Sequence, residues 1–142
     1  MTKQPSEFVE RTVQIAARPE TVFAFFVDPE KMVRWMGRAA TLDPRPGGIY
    51  RCDINGKAIA RGEYLEVVPF SKIVFSFGWE GGDTPAPGQS TVEILLTPDG
   101  DGTRLRLLHS GLGPAERAPH GEGWDHFLPR LTEVAAATSV HP

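Results

Sequence analysis

Hydrophobic and polar residues alternate along the chain from Gly37 to His109, and glycine- and proline-rich turns interrupt the alternation at regular intervals. Successive side chains of a strand point to opposite faces, so a period of two indicates strands that bury one face. Short strands joined by close turns predict an antiparallel meander. We expect its strands at residues 39–43, 49–54, 57–67, 73–79, 91–97 and 103–109.

The segment before the meander shows two other patterns. Residues 8–15 alternate imperfectly and predict a first strand. Apolar residues after Pro19 then recur at helical spacing, and proline suits a first helical turn because its missing amide has no partner there. Asp28 followed by Pro29 ends this helix and starts a second short one. The apolar side of the second helix is expected to carry Met32, Val33, Trp35 and Met36.

The C-terminal segment returns to helical spacing. Its apolar residues fall on one stripe, as expected for a long helix that packs on a core through one face. Pro129 lies inside this segment, and we expect it to kink or loosen the helix because it removes the hydrogen bond to the carbonyl of Asp125. The stripe consists of Trp124, Phe127, Leu128, Leu131 and Val134.

Composition limits the classes of protein. With 142 residues, 40% of them hydrophobic, the chain can form one core. We expect one domain at residues 8–137, with flexible tails at 1–7 and 138–142. The net charge of −3, without clustered Lys and Arg, argues against a nucleic-acid or anionic-membrane surface. No apolar run resembles a signal peptide or a membrane span, which predicts a cytoplasmic protein.

Cys52 is the only cysteine of the chain. Neither an intramolecular disulfide nor a thiolate zinc site can form from one thiol. We interpret Cys52 as a small buried hydrophobic residue of its strand.

Short motifs occur in the order and spacing of one known family. They are Pro19-Glu20-Thr21-Val22-Phe23, Asp28-Pro29-Glu30 followed by Trp35, Pro46-Gly47-Gly48, Gly62-Glu63-Tyr64, Val68-Pro69 with Phe75 after it, Gly102-Thr103 before Leu105, His109-Ser110-Gly111-Leu112, and Gly123-Trp124 with Leu128 and Leu131 behind them. Over about residues 8–137 this pattern resembles the activator of heat-shock-protein ATPase homologue, C-terminal-like family. That family lies within the superfamily of START-like lipid-transfer and birch-pollen-allergen proteins (SRPBCC).

The resemblance implies an α+β helix-grip fold. In this fold a curved antiparallel sheet of six to seven strands surrounds a long C-terminal helix, and two short helices follow the first strand. An apolar space between sheet and helix is a usual setting for a small-molecule pocket. We expect an enclosed cavity, entered between residues 80–90 and 110–114. The alternative is that the same side chains simply fill the core. The expected lining is Trp35, Phe75, Phe77, Trp79, Trp124, Phe127, Leu128 and Leu131.

Polar groups could also face this cavity. In one strand phase, charged residues point inward and pair in a polar wall. In the other phase, which we favour, Tyr50, Cys52 and Ile54 point inward and the charges form a solvated outer ladder. The charged residues concerned are Arg51, Asp53, Arg61 and Glu63.

His109 ends the last strand and is a further candidate, because imidazole titrates near neutrality and can act as an acid or base. We expect its ring to bond the backbone where the strand turns. His109, His120 and His126 match no metal-ligand spacing. No metal, cofactor or catalytic residue is predicted.

Three functions follow from these observations. The leading hypothesis is a binding protein for an apolar or aromatic small molecule of unknown identity. The alternatives are an enzyme of the cyclase, lyase or hydrolase type that uses polar groups in the same cavity, and a co-chaperone or regulatory interaction module. A homodimer and a chaperone partner are both compatible with the resemblance. An apolar cavity would favour the binding protein, and charged groups that converge in the cavity would favour the enzyme. A filled core with an exposed apolar patch would favour the interaction module.

Overall fold

A computed structural model describes residues 8–139. The tail predicted at residues 1–7, and residues 140–142 of the second predicted tail, lie outside the described residues. The elements are, in chain order, β1 (Val9–Ile15), α1 (Pro19–Val27), α2 (Pro29–Met32), β2 (Ala39–Leu42), β3 (Ile49–Asp53), β4 (Ile59–Val68), β5 (Lys72–Trp79), β6 (Ser90–Asp99), β7 (Gly102–Ser110) and α3 (Pro114–Ser139). The predicted α+β helix-grip fold is confirmed.

The seven strands form one curved antiparallel sheet in the order β1-β7-β6-β5-β4-β3-β2. Strands β2 to β7 follow one another as a meander, and β1 joins at the far edge beside β7, with Val9 opposite His109 and Ile15 opposite Thr103. The long helix α3 packs against β1 and α1. Helix α3 therefore packs beside the edge of the sheet that β1 forms.

One face of the sheet carries the core. The alternation predicted for the late strands is observed, since every second residue is buried from Ile73 to Phe77, from Ser90 to Leu96 and from Thr103 to His109. The same phase continues into β3, where Tyr50 and Cys52 are fully buried. The buried side chains on this face of the three late strands are Ile73, Phe75, Phe77, Ser90, Val92, Ile94, Leu96, Thr103, Leu105, Leu107 and His109.

The two short helices are joined at Asp28, whose carboxylate accepts a hydrogen bond from the Glu30 amide at 2.9 Å and caps α2. α2 is shorter than predicted and ends before Trp35 and Met36. Both side chains are nevertheless buried, and the Trp35 indole donates to the Phe25 carbonyl at 3.0 Å. The chain turns there toward β2 through Gly37, whose φ of 79° suits glycine.

Helix α3 continues through both of its internal prolines, Pro119 and Pro129. Each proline, together with the residue whose carbonyl it leaves unpaired, Ala115 and Asp125 respectively, is exposed. Water can therefore bind these carbonyls, and the expected loosening at Pro129 does not interrupt the helix. The helix reaches Ser139, two residues beyond the predicted domain end.

Candidate functional site

An open pocket of about 240 Å³ lies between α3 and the buried face of the sheet. Its walls come from one face of α3, the end of β5, the residue after β3 and the turn after α2. The α3 residues share a face because they lie three or four positions apart. The lining consists of Met36, Ile54, Phe77, Trp79, Pro119, His120, Gly123, Trp124 and Phe127.

The structure divides the eight side chains that we expected around a cavity into two groups. Phe77, Trp79, Trp124 and Phe127 line the pocket. The other four do not, because they are at most 2% exposed and fill the core beneath it, as in the alternative interpretation. These four are Trp35, Phe75, Leu128 and Leu131.

The pocket is open where we expected an enclosed cavity. Ile54, Pro119 and Phe127 are partly or fully exposed and mark its open side. Within the described chain, residues 80–90 and 110–114 contribute nothing to the lining, so the expected entrance is misplaced. The loop at 80–90 folds back on β5 instead, where the Trp79 amide donates to the Pro85 carbonyl at 2.9 Å.

Part of this loop covers the opposite face of the sheet. A Cβ added to Gly78, on the face away from Phe77, would lie 2.0 Å from the Ala86 carbonyl oxygen, an approach that only glycine permits. Another part lies near α3, because the side chain of Thr84 hydrogen-bonds that of Glu116. The loop therefore borders Trp79 and α3 without contributing a residue to the pocket lining.

A chain of hydrogen bonds runs behind the pocket wall, through His109. The Trp124 indole Nε1 donates to His109 Nδ1 at 3.1 Å, and His109 Nε2 lies 2.9 Å from Ser90 Oγ. Ser90 Oγ donates onward to the Phe77 carbonyl at 2.7 Å. Because an indole can only donate, Nδ1 must be the acceptor and Nε2 carries the proton. Every polar group of this chain is thereby satisfied.

Burial lowers the pKa of His109 to about 3, and the nearby His120 contributes in the same direction. A proton on Nδ1 would also face the indole N–H of Trp124, so the neutral ring is the form that fits the contacts. We expected a backbone partner for this ring, but its hydrogen bonds go to two side chains. The prediction was wrong because His109 points inward from β7 rather than along the turn after it.

A second indole–imidazole pair lies in the pocket wall itself. Trp79 Nε1 donates to His120 Nε2 at 2.9 Å, and His120 Nδ1 lies 2.7 Å from the Glu116 carbonyl, one helical turn earlier. The acceptor role of Nε2 leaves the proton on Nδ1, which donates to that carbonyl. The two indole N–H groups beside the pocket are thus both occupied within the protein.

Phe77 stands at the centre of these two pairs. Its ring centroid lies 5.3 Å from that of Trp79 and 5.0 Å from that of His109, in edge-to-face arrangements. The centroids of His120 and Trp124 both lie 6.3 Å away. These distances are typical of favourable aromatic pairs. The five rings form one connected cluster, which we call the aromatic wall and of which all but His109 line the pocket: Phe77, Trp79, His109, His120 and Trp124.

The charged residues of the neighbouring strands lie away from the pocket. Arg51 donates to the Glu80 carboxylate at 2.9 Å, and Arg61 approaches the same carboxylate at 3.4 Å. The Arg51 hydrogen bond is the main cause that lowers the pKa of Glu80. Asp53 pairs with Arg38 at 3.4 Å. With the exposed Glu63, these charges form the outer ladder that we favoured.

Several lining residues were not among those predicted from the sequence to line a cavity. Met36 and Ile54 lie just beyond the ends of α2 and β3, where a periodic pattern does not show which way a side chain points. Gly123 has no side chain that could contribute to a hydrophobic pattern. His120 was noted only as a companion of His109. His126 is exposed and packs on Phe127, away from the other two histidines.

Among residues 8–139, no group of three His, Cys, Asp or Glu side chains could hold a metal ion. No described helix is long and apolar enough to cross a membrane.

Comparisons with known proteins agree with the fold. The family described as Activator of Hsp90 ATPase homolog 1-like protein matches residues 16–136. An AHSA1-like protein from Rhizobium etli is 52% identical with a TM-score of 0.73, over 91% of this chain and 81% of that one. No curated protein matches.

More distant structures share the fold alone. DynU16, from the dynemicin biosynthetic locus, is 23% identical with a TM-score of 0.81 over 95% of this chain, which spans about half (49%) of the length of DynU16. An HSP90 activator from Plasmodium falciparum is 24% identical with a TM-score of 0.72, over 90% of this chain and 95% of that one.

Proposed function

Because the chain belongs to the Activator of Hsp90 ATPase homolog 1-like family, whose fold sets a long helix against a curved sheet, we propose that it binds a small apolar molecule between α3 and the sheet. The observation that carries this proposal is the pocket of about 240 Å³ beside the aromatic wall. Apolar pockets of this kind, largely formed before the ligand arrives, are the usual small-molecule sites of proteins.

The ligand that fits is uncharged over its buried part. No carboxylate, amine or guanidinium lines the pocket within the described chain. The N–H groups of Trp79 and Trp124 are already bound to histidines. A charged group brought into the pocket would lose its hydration without gaining a partner, which costs several kcal/mol.

Titration with matched probes tests this proposal. The first probe is 2-naphthol, an uncharged two-ring molecule whose hydroxyl can stay at the open side, and the second is 2-naphthoate, which has the same rings and a negative charge. Isothermal titration calorimetry should show binding of 2-naphthol with a negative heat-capacity change, and binding of 2-naphthoate at least tenfold weaker. Absence of binding, or a preference for the charged probe, would contradict the proposal.

A matched pair of variants locates the probe. Ile54 lines the pocket, whereas Ile59, across the same turn, does not. Ile54→Trp should fill the pocket and raise the Kd for 2-naphthol at least tenfold. Ile59→Trp adds the same bulk outside the pocket and should leave the Kd unchanged. Equal effects of the two variants would place the probe elsewhere.

A second candidate function, a protein-interaction module, rests on an exposed apolar patch. In the last residues of β4 and the turn that follows, Leu65 is 45%, Val68 40% and Phe70 51% exposed. Exposed apolar side chains that lie together often mark interaction sites. The test is whether the chain stimulates the ATPase of Hsp90, and whether Phe70→Asp abolishes the stimulation while Ile54→Trp does not. Sedimentation velocity of the parent and of Phe70→Asp tests the homodimer with which the resemblance is compatible.

The enzyme hypothesis gains no support from the same geometry. Of the residues considered for it, Arg51 and Asp53 form ion pairs and Glu63 is exposed, all on the outer side of the sheet. His109 is fully buried and lies outside the pocket lining. The one imidazole in the pocket lining, His120, uses both ring nitrogens for hydrogen bonds within the protein. We therefore keep the binding function as the proposal.

A further inference from the structure

Two glycines of α3, Gly121 and Gly123, are separated by one residue and differ in their surroundings. A Cβ on Gly121 would come within 2.8 Å of the Arg11 guanidinium, the flexible end of a side chain that would have to shift. A Cβ on Gly123 would meet nothing within 4 Å. Gly123 nevertheless interrupts a long helix, where glycine is the least favourable residue after proline.

The backbone gives no reason for Gly123 either. The glycines of the described chain with positive φ lie in turns, and Gly123 is not among them. What lies next to Gly123 is the pocket, whose lining includes this residue together with Pro119, His120 and Phe127 of the same helix face. The open space that a side chain would occupy is therefore the space between α3 and the aromatic wall.

We propose that Gly123 is the specificity-determining residue of the pocket, and that its missing side chain admits a flat, uncharged two-ring molecule against the backbone of α3. This inference rests on the proposed binding function. The bare helix backbone on one side and the rings of Phe77 and Trp79 on the other leave a slot that suits a planar molecule. A side chain at position 123 would close this slot.

The size of the pocket supports two rings. An apolar cavity of about 150 Å³ takes a single benzene ring in another protein, and this pocket measures about 240 Å³. The pocket is about 1.6 times as large, and two fused rings have ten carbon atoms where benzene has six, which is a similar factor. A larger ligand would project through the open side past Ile54 and Phe127.

The test is a series of substitutions at one position, read with 2-naphthol as the probe. Gly123→Leu should raise the Kd at least tenfold, and Gly123→Ala should raise it by less. Ala137→Leu adds the same side chain at an exposed position of α3 and should leave the Kd unchanged. The thermal midpoint of each variant shows that it is folded. If Gly123→Leu binds the probe as tightly as the parent does, the inference is overturned while the binding function stands.

A measurement without ligand separates the two proposals. Acrylamide, a small uncharged quencher, should reach Trp124 through the pocket, whereas Trp35 is fully buried in the core and Trp79 also lines a second surface hollow. Gly123→Leu should lower the quenching constant of tryptophan fluorescence, and Ala137→Leu should not. Reduced quenching in a protein whose parent binds no probe would show that Gly123 keeps the pocket open, but the missing binding would refute the binding function. Unchanged quenching in Gly123→Leu would overturn the role of Gly123.

Discussion

Replacing His109 by glutamine should remove much of the acid sensitivity of this fold. His109 is fully buried and neutral, accepting at Nδ1 from Trp124 and donating from Nε2 to Ser90. Glutamine offers one acceptor and one donor group as well, but it does not titrate. The substitution therefore keeps the kind of hydrogen bonding and removes the proton equilibrium.

The magnitude follows from the two pKa values of the histidine. The unfolded chain carries an ordinary imidazole of pKa about 6.5, whereas the pKa in the fold is lowered to about 3. Between these values the unfolded state binds one proton more than the native state, so stability falls as the pH falls. The loss begins below about pH 6.5 and ends near the folded pKa. At about 1.4 kcal/mol per pH unit, it reaches about 2 kcal/mol on going from pH 7 to pH 5.

The assay is urea unfolding followed by tryptophan fluorescence at several pH values between 5 and 8. The parent should lose about 2 kcal/mol more between pH 7 and pH 5 than His109→Gln does, because the carboxylates and the other histidines contribute equally to both proteins. His126→Gln is the matched control, since that side chain is exposed. It should reproduce the pH dependence of the parent.

If the free energy of unfolding falls by the same amount in the parent and in His109→Gln over this range, the reasoning is wrong. His109 would then be protonated in the fold. A direct measurement covers the case in which the variant does not fold. Nitrogen-15 NMR of the parent at pH 5 should show Nδ1 of His109 unprotonated and Nε2 protonated. The reverse assignment would contradict the hydrogen bond from Trp124.

Three further substitutions test the core beside the pocket, each by urea unfolding at pH 7. Trp124→Ala should cost about 3–5 kcal/mol, as truncation of a large buried aromatic does, and a loss below about 1 kcal/mol would show that the α3 stripe does not form the core. Tyr50→Phe should be neutral or stabilise the fold by up to about 1 kcal/mol, because the buried Tyr50 hydroxyl has no hydrogen-bond partner in the structure. A clear destabilisation would reveal a partner that binds this hydroxyl. Ser90→Ala should cost about 1–3 kcal/mol, because it leaves the His109 N–H buried and unpaired, and a neutral result would mean that the ring has another acceptor.

The architecture could be predicted because strand and helix periods differ and because the buried faces carry large apolar residues. On the sequence alone, two phases of β3 were possible. Either Tyr50 and Cys52 or Arg51 and Asp53 could lie on the buried face. The structure resolves the choice through burial, since a charge on the inner face would have needed a buried partner. Glu80, which pairs with Arg51, directly follows β5. No local sequence pattern could have predicted that it lies beside Arg51 of β3.

The pocket could be predicted only in part, because periodicity gives the face of a side chain and not its depth. Phe75 and Phe77 share one face of β5, two residues apart. Phe75 is stacked on Tyr50 with ring centroids 4.1 Å apart and is sealed into the core, whereas Phe77 stands beside α3 and lines the pocket. The difference depends on where α3 crosses the sheet. That crossing is a property of the packed fold and not of either strand.

The histidines explain how a pocket wall built from two tryptophans can be apolar. An unpaired indole N–H beside an apolar ligand would cost about 1–3 kcal/mol, so each indole must find an acceptor within the protein. A carboxylate acceptor would bring a charge to the wall. A neutral imidazole accepts through one nitrogen and donates through the other, so it satisfies the indole and finds its own acceptor behind the wall, as His120 does at the Glu116 carbonyl and His109 at Ser90. The pocket is thus apolar because the polar groups around it are paired with one another, and a ligand with strong hydrogen-bonding groups could bind there only by breaking one of these pairs.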